Sequence, residues 1–151
     1  MNKILILALL ILFAFSCKTT KKINEKSDYV VFTFRKTECK GKCPAYYMEI
    51  FSNGKVTFVG TKNVEKIGKY IKQIEIREVE NLISQFENAK FNKFENEYTS
   101  LITDLPTTYI SFTNNDTTKT IRDYYGAPQE LKNLEFLLEN IVNSDNWSKS
   151  E

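Results

Sequence analysis

The stretch AYYMEIFSNGKVTFVG, residues 45–60, decides the fold that the sequence predicts. Its two halves, residues 45–51 and 55–60, are rich in β-branched and aromatic residues, and the tripeptide at 52–54 (SNG) separates them. Such residues favour strands, and an Asn-Gly pair between two such runs is typical of a hairpin turn. The segment is therefore predicted to form an antiparallel β-hairpin.

The side-chain pattern selects the register of this hairpin. A two-residue loop would mix apolar and charged side chains on each face of the hairpin. A three-residue loop, with Gly54 in the left-handed region, pairs Ile50 with Val56. In the same register Met48 faces Phe58. Because cross-strand partners share a face, the apolar pattern favours the three-residue loop with a bulge at Gly54.

Outside the hairpin, the pattern of strands and helices predicts an α+β domain. Further strands are expected at residues 28–36, 69–74, 107–113 and 119–125. Helical spacing predicts one helix over residues 75–89, with a stripe of Ile76, Val79, Ile83 and Phe86, and a second that begins at Pro128 and buries Leu131, Leu134, Leu138 and Ile141. The order ββββ-α-ββ-α indicates a largely antiparallel sheet of about six strands, with both helices on one face.

The N-terminal residues are typical of an exported protein. A lysine at position 3 precedes an apolar run at residues 4–15, which is shorter than the roughly 20 residues that a membrane-spanning helix needs. The stretch FAFSC at residues 13–17 resembles a bacterial lipobox, in which Cys17 would become the lipidated first residue. An ordinary secretory signal with an incidental cysteine is the alternative.

This interpretation divides the chain into four parts. Residues 1–16 are expected to be a lipoprotein signal peptide, 17–28 a lipid-anchored flexible tether, 29–142 a single α+β domain, and 143–151 a polar tail that frays. The protein is expected in the cell envelope, on the outer membrane facing the periplasm, with the N-terminal lipid as its membrane contact.

Composition restricts the chemistry open to this chain. The 21 basic and 19 acidic residues nearly balance, so the sequence lacks the basic stripe of a nucleic-acid-binding protein. The chain contains no histidine, which removes the commonest general base and the commonest metal ligand. We therefore expect no metal, no cofactor and no nucleic-acid partner.

Several stretches of the sequence resemble a known family. They are RKTECKGKCPAY at residues 35–46, then Ile50, NGKV at 53–56 and FVG at 58–60, and further along TDLP at 103–106 and DYYGAP at 123–128. Together they resemble an uncharacterised domain of bacterial envelope lipoproteins, domain of unknown function 6438, over about residues 29–142. The resemblance implies an extracytoplasmic domain with a shared fold. It brings no activity and no catalytic residues.

Cys39 and Cys43 are predicted to form a structural disulfide. If Cys17 carries lipid, these two thiols remain in an oxidising compartment, which favours a disulfide. Four residues of extended strand span roughly 13 Å, whereas a disulfide needs Cα atoms within about 7 Å, so the chain must turn here, and Gly41 permits the turn. A thiol-redox pair and a metal site are the alternatives.

The remaining candidates are aspartates and tyrosines. Asp104 and Asp123 are candidates for paired acid–base carboxylates, or else residues that cap a turn and end a strand. Tyr46 and Tyr124 are candidates, with the two aspartates, for a binding surface, or else for packing at the edge of the core. The expected function is a non-enzymatic binding or scaffold domain for an unknown envelope protein or ligand. The alternative is an extracytoplasmic thiol-redox or other hydrolytic enzyme that uses the cysteine pair or the aspartate pair.

Overall fold

The computed structural model describes residues 28–151, which form a sheet of eight strands and two α-helices. The strands are β1 (Val30–Lys36), β2 (Ala45–Phe51), β3 (Lys55–Lys62), β4 (Gly68–Gln73), β5 (Glu97–Tyr98), β6 (Thr108–Asn114), β7 (Thr117–Asp123) and β8 (Ser148–Lys149). The helices are α1 (Ile76–Asn88) and α2 (Gln129–Asn143), and a short 3-10 helix spans Phe91–Lys93. The predicted α+β class is confirmed.

The strands lie in the order β5-β7-β6-β1-β2-β3-β4-β8. Every neighbouring pair is antiparallel except β5 and β7, which are parallel. The prediction of six strands was too low, because β5 and β8 have only two residues each and carry no alternating pattern.

The C-terminal segment pairs with the sheet, although a fraying tail was expected there. Lys149 pairs with Tyr70 of β4. Just before β8, the ring of Trp147 lies 5.5 Å from the ring of Phe58, and the Nζ atom of Lys72 lies 5.3 Å from the indole centroid. An aromatic side chain that packs on the core in this way fixes the polar residues beside it.

The central hairpin has the predicted register. Ile50 pairs with Val56 and Met48 pairs with Phe58. Gly54 has a φ of +83°, and a Cβ atom there would lie 2.3 Å from the carbonyl oxygen of Ile74. Both the left-handed backbone and the close approach require glycine at this position.

The core lies between one face of the sheet and the two helices. The buried cluster joins alternate residues of the central strands, among them Phe34, Met48, Ile50, Phe58 and Ile110, to the apolar faces of α1 and α2. Phe32 links these layers, because its ring stacks on Phe112 at 5.1 Å and meets Phe86 of α1 at 4.7 Å. Both helices therefore pack on the same core, as predicted.

The apolar stripe of α1 differs from the predicted one. Val79, Leu82 and Phe86 are buried, whereas Ile76 is 57% exposed. The spacing i, i+3, i+7 describes the face that meets the core, and Ile76 at the first turn lies off that face. In α2 the predicted residues Leu131, Leu134, Leu138 and Ile141 are all buried. Pro128 precedes the first residue of α2 rather than beginning the helix, and its backbone is extended.

The second hairpin turns more tightly than its sequence indicated. β6 ends at Asn114 and β7 begins at Thr117, so the loop is Asn115–Asp116. Both loop residues have positive φ, 48° and 62°. This two-residue turn suits the twist of the paired strands and brings Thr108 opposite Asp123 at the far end of the hairpin.

Candidate functional site

A cleft of about 290 Å³ opens where the end of β7, the start of β6 and the first turns of α2 meet. We call it the carboxylate cleft. Its apolar wall is formed by Pro44, Leu105 and Pro106, and its polar lining by Lys36, Thr108, Asp123, Tyr124, Lys132 and Glu135. Three of the stretches that carry the family resemblance contribute to it, since Pro44, Leu105–Pro106 and Asp123–Tyr124 come from residues 35–46, 103–106 and 123–128.

Two buried carboxyl groups share one lysine in this cleft. Asp123 is 2% exposed and Glu135 is 6% exposed. The Nζ atom of Lys132 donates to Oδ2 of Asp123 and, at 3.2 Å, to Oε2 of Glu135. A single ammonium group therefore serves two carboxyl groups that have almost no contact with solvent.

The local sequence explains how these groups meet. Asp123 is the last residue of β7, and three residues later Gly126 has a φ of +87°. Pro128 then accepts hydrogen bonds from the backbone N–H groups of Leu131 and Lys132, which begins α2. The first turns of α2 consequently lie beside the strand end, and the spacing i, i+3 places Lys132 and Glu135 on the same side of the helix.

Burial changes the protonation of Glu135. Its pKa is raised to about 7, first by burial and then by the hydrogen bond and the charge of Asp123, while Lys132 opposes the rise. The pKa of Lys132 is raised as well, because its contacts with Asp123 and Glu135 outweigh the effect of its own partial burial. Glu135 therefore retains its proton at a pH where an exposed glutamate would have lost it.

One oxygen of each carboxyl group lacks a protein donor. Among the described residues, Oδ1 of Asp123 and Oε1 of Glu135 are buried without a hydrogen-bond partner. Buried polar atoms are almost always paired, so an unpaired acceptor requires an explanation. A proton held between the two groups would satisfy both oxygens, and the raised pKa of Glu135 agrees with that arrangement.

Asp104 and Asp123, candidates for a pair of acid–base carboxylates, have different partners, and Asp123 ends β7 as the alternative interpretation had it. Asp104 is exposed, forms an ion pair with Lys40 at 2.9 Å and does not line the cleft. The carboxyl partner of Asp123 is Glu135. Asp123, a candidate for a binding surface, is buried, because the end of β7 is covered by α2 and Lys132 lies over the carboxylate.

Tyr46 is buried, although it was a candidate for a binding surface. It is 4% exposed, since β2 places its side chain on the helix-covered face of the sheet, 5.9 Å from the ring of Phe34. Its pKa is raised well above the ordinary value by burial and then by the charges of Glu139 and Glu135. Tyr46 and Glu139 line a second cleft, of about 250 Å³, on the other side of Pro44.

Tyr124 does line the carboxylate cleft, where it anchors a loop. Its hydroxyl donates to the carbonyl oxygen of Ile102 at 2.7 Å and accepts from the N–H of Leu105 at 3.3 Å. These two bonds hold the loop at residues 103–106 beside the end of β7. Tyr124 therefore positions the apolar wall of the cleft.

The predicted disulfide between Cys39 and Cys43 is present. Their Cα atoms are 5.7 Å apart, and the N–H of Gly41 donates to Sγ of Cys39 at 3.2 Å. The carbonyl oxygen of Cys43 accepts a hydrogen bond from the side chain of Asn63. The disulfide loop therefore fixes Pro44, the next residue, between the two clefts. Cys17, the predicted lipidation site, lies outside the described residues.

Glu135 and Lys132 were not among the residues singled out from the sequence, but a signal for Glu135 exists. Leu131, Glu135 and Leu138 follow the spacing i, i+4, i+7, which places Glu135 on the buried face of α2. A charged residue on an apolar stripe requires a partner.

Residues 28–151, the described part of the chain, contain neither a group of side chains placed to hold a metal ion nor a membrane-spanning helix. No group of three or more Asp, Glu, Cys or His side chains in this part of the chain is placed to hold a metal ion. Neither of its two α-helices is long and apolar enough to pass through a bilayer.

The fold and the cleft define a class of protein, an α+β domain with a buried carboxyl pair at one end of its sheet. Residues 30–142 match the family model described as a domain of unknown function, DUF6438. The match covers most of the chain, so the chain belongs to this family. No curated protein matches the sequence.

Proposed function

We propose that this chain is a lipid-anchored protein of the cell envelope, and that its domain binds an envelope protein or ligand through the carboxylate cleft without catalysing a reaction. The observation that supports this most is that three separate segments meet at the incompletely paired carboxyl groups of Asp123 and Glu135. Perturbed, buried titratable groups in a cleft are typical of functional sites.

A purely structural role explains the carboxyl pair less well. Burying a charged group is unfavourable unless it is fully paired, and well-packed apolar residues in its place often leave a protein equally or more stable. Asp123 and Glu135 each have a buried oxygen without a protein donor. When both carboxyl groups are ionised, the local arrangement therefore costs stability, which is understandable where the groups meet a ligand.

The proposed location rests on the N-terminal sequence and on the disulfide. The apolar run at residues 4–15 and the lipobox-like stretch at 13–17 favour export and lipidation at Cys17. The pairing of Cys39 with Cys43 suits an oxidising compartment outside the cytoplasm. We place the domain on the periplasmic side of the outer membrane.

Site-specific photo-crosslinking in whole cells tests the proposed binding site. A photoreactive residue at Leu105, on the wall of the cleft, is expected to give an adduct that the intact mass of the purified chain reveals, whether the partner is a protein or a small molecule. The same residue at Ile76, which is 57% exposed on α1, is the control and should give none. Adducts of equal yield at both positions, or at neither, would contradict binding at the cleft.

A second candidate function is acid–base catalysis by Asp123 and Glu135. It is favoured by the pKa of Glu135, about 7, because a general acid works best when its pKa lies near the operating pH. The test is a panel of peptide, ester and glycoside substrates, with turnover that disappears in Glu135→Gln. If the wild-type chain turns over none of these substrates, hydrolysis of these substrate classes is excluded as its function. The redox alternative has less support than acid–base catalysis. The pair of Cys39 and Cys43 lies in the loop between β1 and β2 and not at a helix N-terminus, where a thiol pKa would be lowered.

A further inference from the structure

We propose that the carboxylate cleft takes a ligand with a primary ammonium group on a short alkyl chain, and that this group replaces a proton shared by Asp123 and Glu135. The inference rests on the proposed binding function and specifies the class of ligand. It follows from the charge of the cleft, from the free oxygen atoms and from the apolar wall.

The charges in the cleft leave one negative charge without a partner when both carboxyl groups are ionised. Lys132 is the only cation that contacts Asp123 or Glu135 among the ion pairs of the described residues. Lys36, which also lines the cleft, is already paired with Glu139 at 2.5 Å. Two carboxylates and one available ammonium group therefore require one more positive charge, which either a proton or a ligand can supply.

The free oxygen atoms suit a ligand with N–H donors. Lys132 contacts Oδ2 of Asp123 and Oε2 of Glu135, which leaves Oδ1 and Oε1 buried without a protein donor. Both residues are more than nine-tenths buried and both line the cleft. A primary ammonium group has three donors and can bond to two carboxylate oxygens at once, whereas a quaternary ammonium group has none.

The apolar wall suits the alkyl part of such a ligand. Pro44, Leu105 and Pro106 line the same cleft as the carboxyl pair, so methylene groups next to the ammonium would be buried against them. A divalent metal ion fits less well, because Lys132 already places a positive charge between the two carboxyl groups. The unbalanced negative charge, the carboxyl oxygens without a donor and the apolar wall of the cleft together point to an alkylammonium group.

Binding should depend on pH with a definite sign. The charged and titratable groups around Glu135 are Asp123 from β7, Lys132 and Glu139 from α2, Lys36 from β1 and Tyr46 from β2. Glu135 has a pKa of about 7, so below that pH an ammonium ligand must displace a proton in order to bind. The affinity is then expected to fall about tenfold for each pH unit below 7, and to level off above it.

The experiment is a titration of the full chain with n-butylammonium at constant ionic strength. Binding is monitored through the NMR chemical shifts of the backbone amides. Shifts at Asp123 and Glu135 are expected, with an affinity about thirtyfold higher at pH 8.5 than at pH 5.5. Tetramethylammonium, which has the charge but no donors, and n-butanol, which has the chain but no charge, are the matched probes and should leave these amides unchanged. Equal binding of either probe, or no dependence on pH, would overturn the inference.

Two pairs of variants locate the effect. Asp123→Asn and Glu135→Gln should each weaken n-butylammonium binding at pH 8.5 at least tenfold, and Glu135→Gln should also remove the pH dependence. Asp116→Asn and Glu130→Gln, which alter exposed carboxylates outside the cleft, are expected to bind as the wild type does. If n-butylammonium fails to bind while crosslinking at Leu105 persists, the ligand class is wrong and the proposed binding function stands.

Discussion

At the scale of single residues, Glu135 has the clearest consequence for stability. Its pKa is about 7 in the folded chain against an ordinary value of 4.5, so the fold favours the neutral form. The stabilisation by this neutral form is complete below about pH 4.5 and is lost as the pH rises through about 7. The buried carboxylate therefore weakens the fold in mildly alkaline solution.

We expect Glu135→Gln to stabilise the protein at pH 8 by about 1–3 kcal/mol, because glutamine keeps the shape and removes the charge. The gain should disappear below about pH 4.5, where glutamate is itself neutral. Urea unfolding of both chains from pH 4 to pH 8 measures the difference, with Glu130→Gln as the exposed control on the same helix. A variant that is less stable than the wild type by the same amount at every pH would contradict this account.

Gly54 is the residue at which the central hairpin is most sensitive. Gly54→Ala should lower the free energy of unfolding by more than about 1 kcal/mol, because an L-residue is strained at a φ of +83° and its Cβ would meet the carbonyl oxygen of Ile74. Gly68→Ala is the matched control, since Gly68 has a φ of +100° but open space around the Cβ position. Urea unfolding should show the larger loss at Gly54. Equal losses of unfolding free energy in the two variants would mean that the close approach to Ile74 adds nothing to the cost of substituting Gly54.

Residue-level prediction succeeded where side chains alternate and failed where burial depends on distant elements. The register that pairs Met48 with Phe58 also places Tyr46 on the buried face, so the interpretation of Tyr46 as a surface residue conflicted with the hairpin pattern. Asp123 could not be recognised as buried from β7 alone. Its cover is Lys132 from α2, and that contact depends on how the helix packs.

At the scale of elements, the disulfide loop joins the cleft to the rest of the sheet. The loop between β1 and β2 contacts the 103–107 segment through the ion pair of Lys40 with Asp104 and through the bond from the N–H of Thr107 to Oγ1 of Thr37. Pro44, at the end of this loop, forms part of the wall of both clefts. The disulfide therefore holds a wall of the proposed binding site.

Removal of the disulfide should lower the stability of the fold. It should abolish no redox activity, because we expect the wild-type chain to have none. For Cys39→Ser with Cys43→Ser we expect about 2 kcal/mol less stability on the chain-entropy model, since the closed loop is short. Thiol trapping of the wild-type chain in glutathione buffers should find the bond oxidised down to about −300 mV. Reduction near −200 mV without a change in melting temperature would instead favour a redox role.

The two shortest strands show why part of the element order could not be read from the sequence. β5 forms because Arg122 of β7 donates its backbone N–H to Asn96, and β8 forms next to Trp147, which packs on Phe58. Neither pairing has a pattern of its own, because two residues are too few for a period. The longer strands and both helices carry their patterns within the segment, and these were predicted to within a few residues.

At the scale of the whole molecule, the proposal requires a lipid on Cys17. The intact mass of protein extracted from membranes should correspond to a chain that begins at Cys17 and carries acyl groups, because residues 13–17 resemble a lipobox. The Cys17→Ser variant is the control, and its protein should no longer be found in the membrane fraction. A mass that retains Met1, or a soluble chain cut at another position, would rule out the lipid anchor.

The central claim is that three segments of the chain meet at a buried carboxyl pair that shares one proton. The most direct test is a pH titration of the side-chain carboxyl carbons of Asp123 and Glu135 by NMR, in the wild-type chain and in Asp123→Asn. We expect Glu135 to titrate near pH 7 in the wild type and at lower pH in the variant, because the hydrogen bond and charge of Asp123 help to raise its pKa. A midpoint near 4.5 for Glu135 in the wild-type chain, unchanged in Asp123→Asn, would contradict the claim.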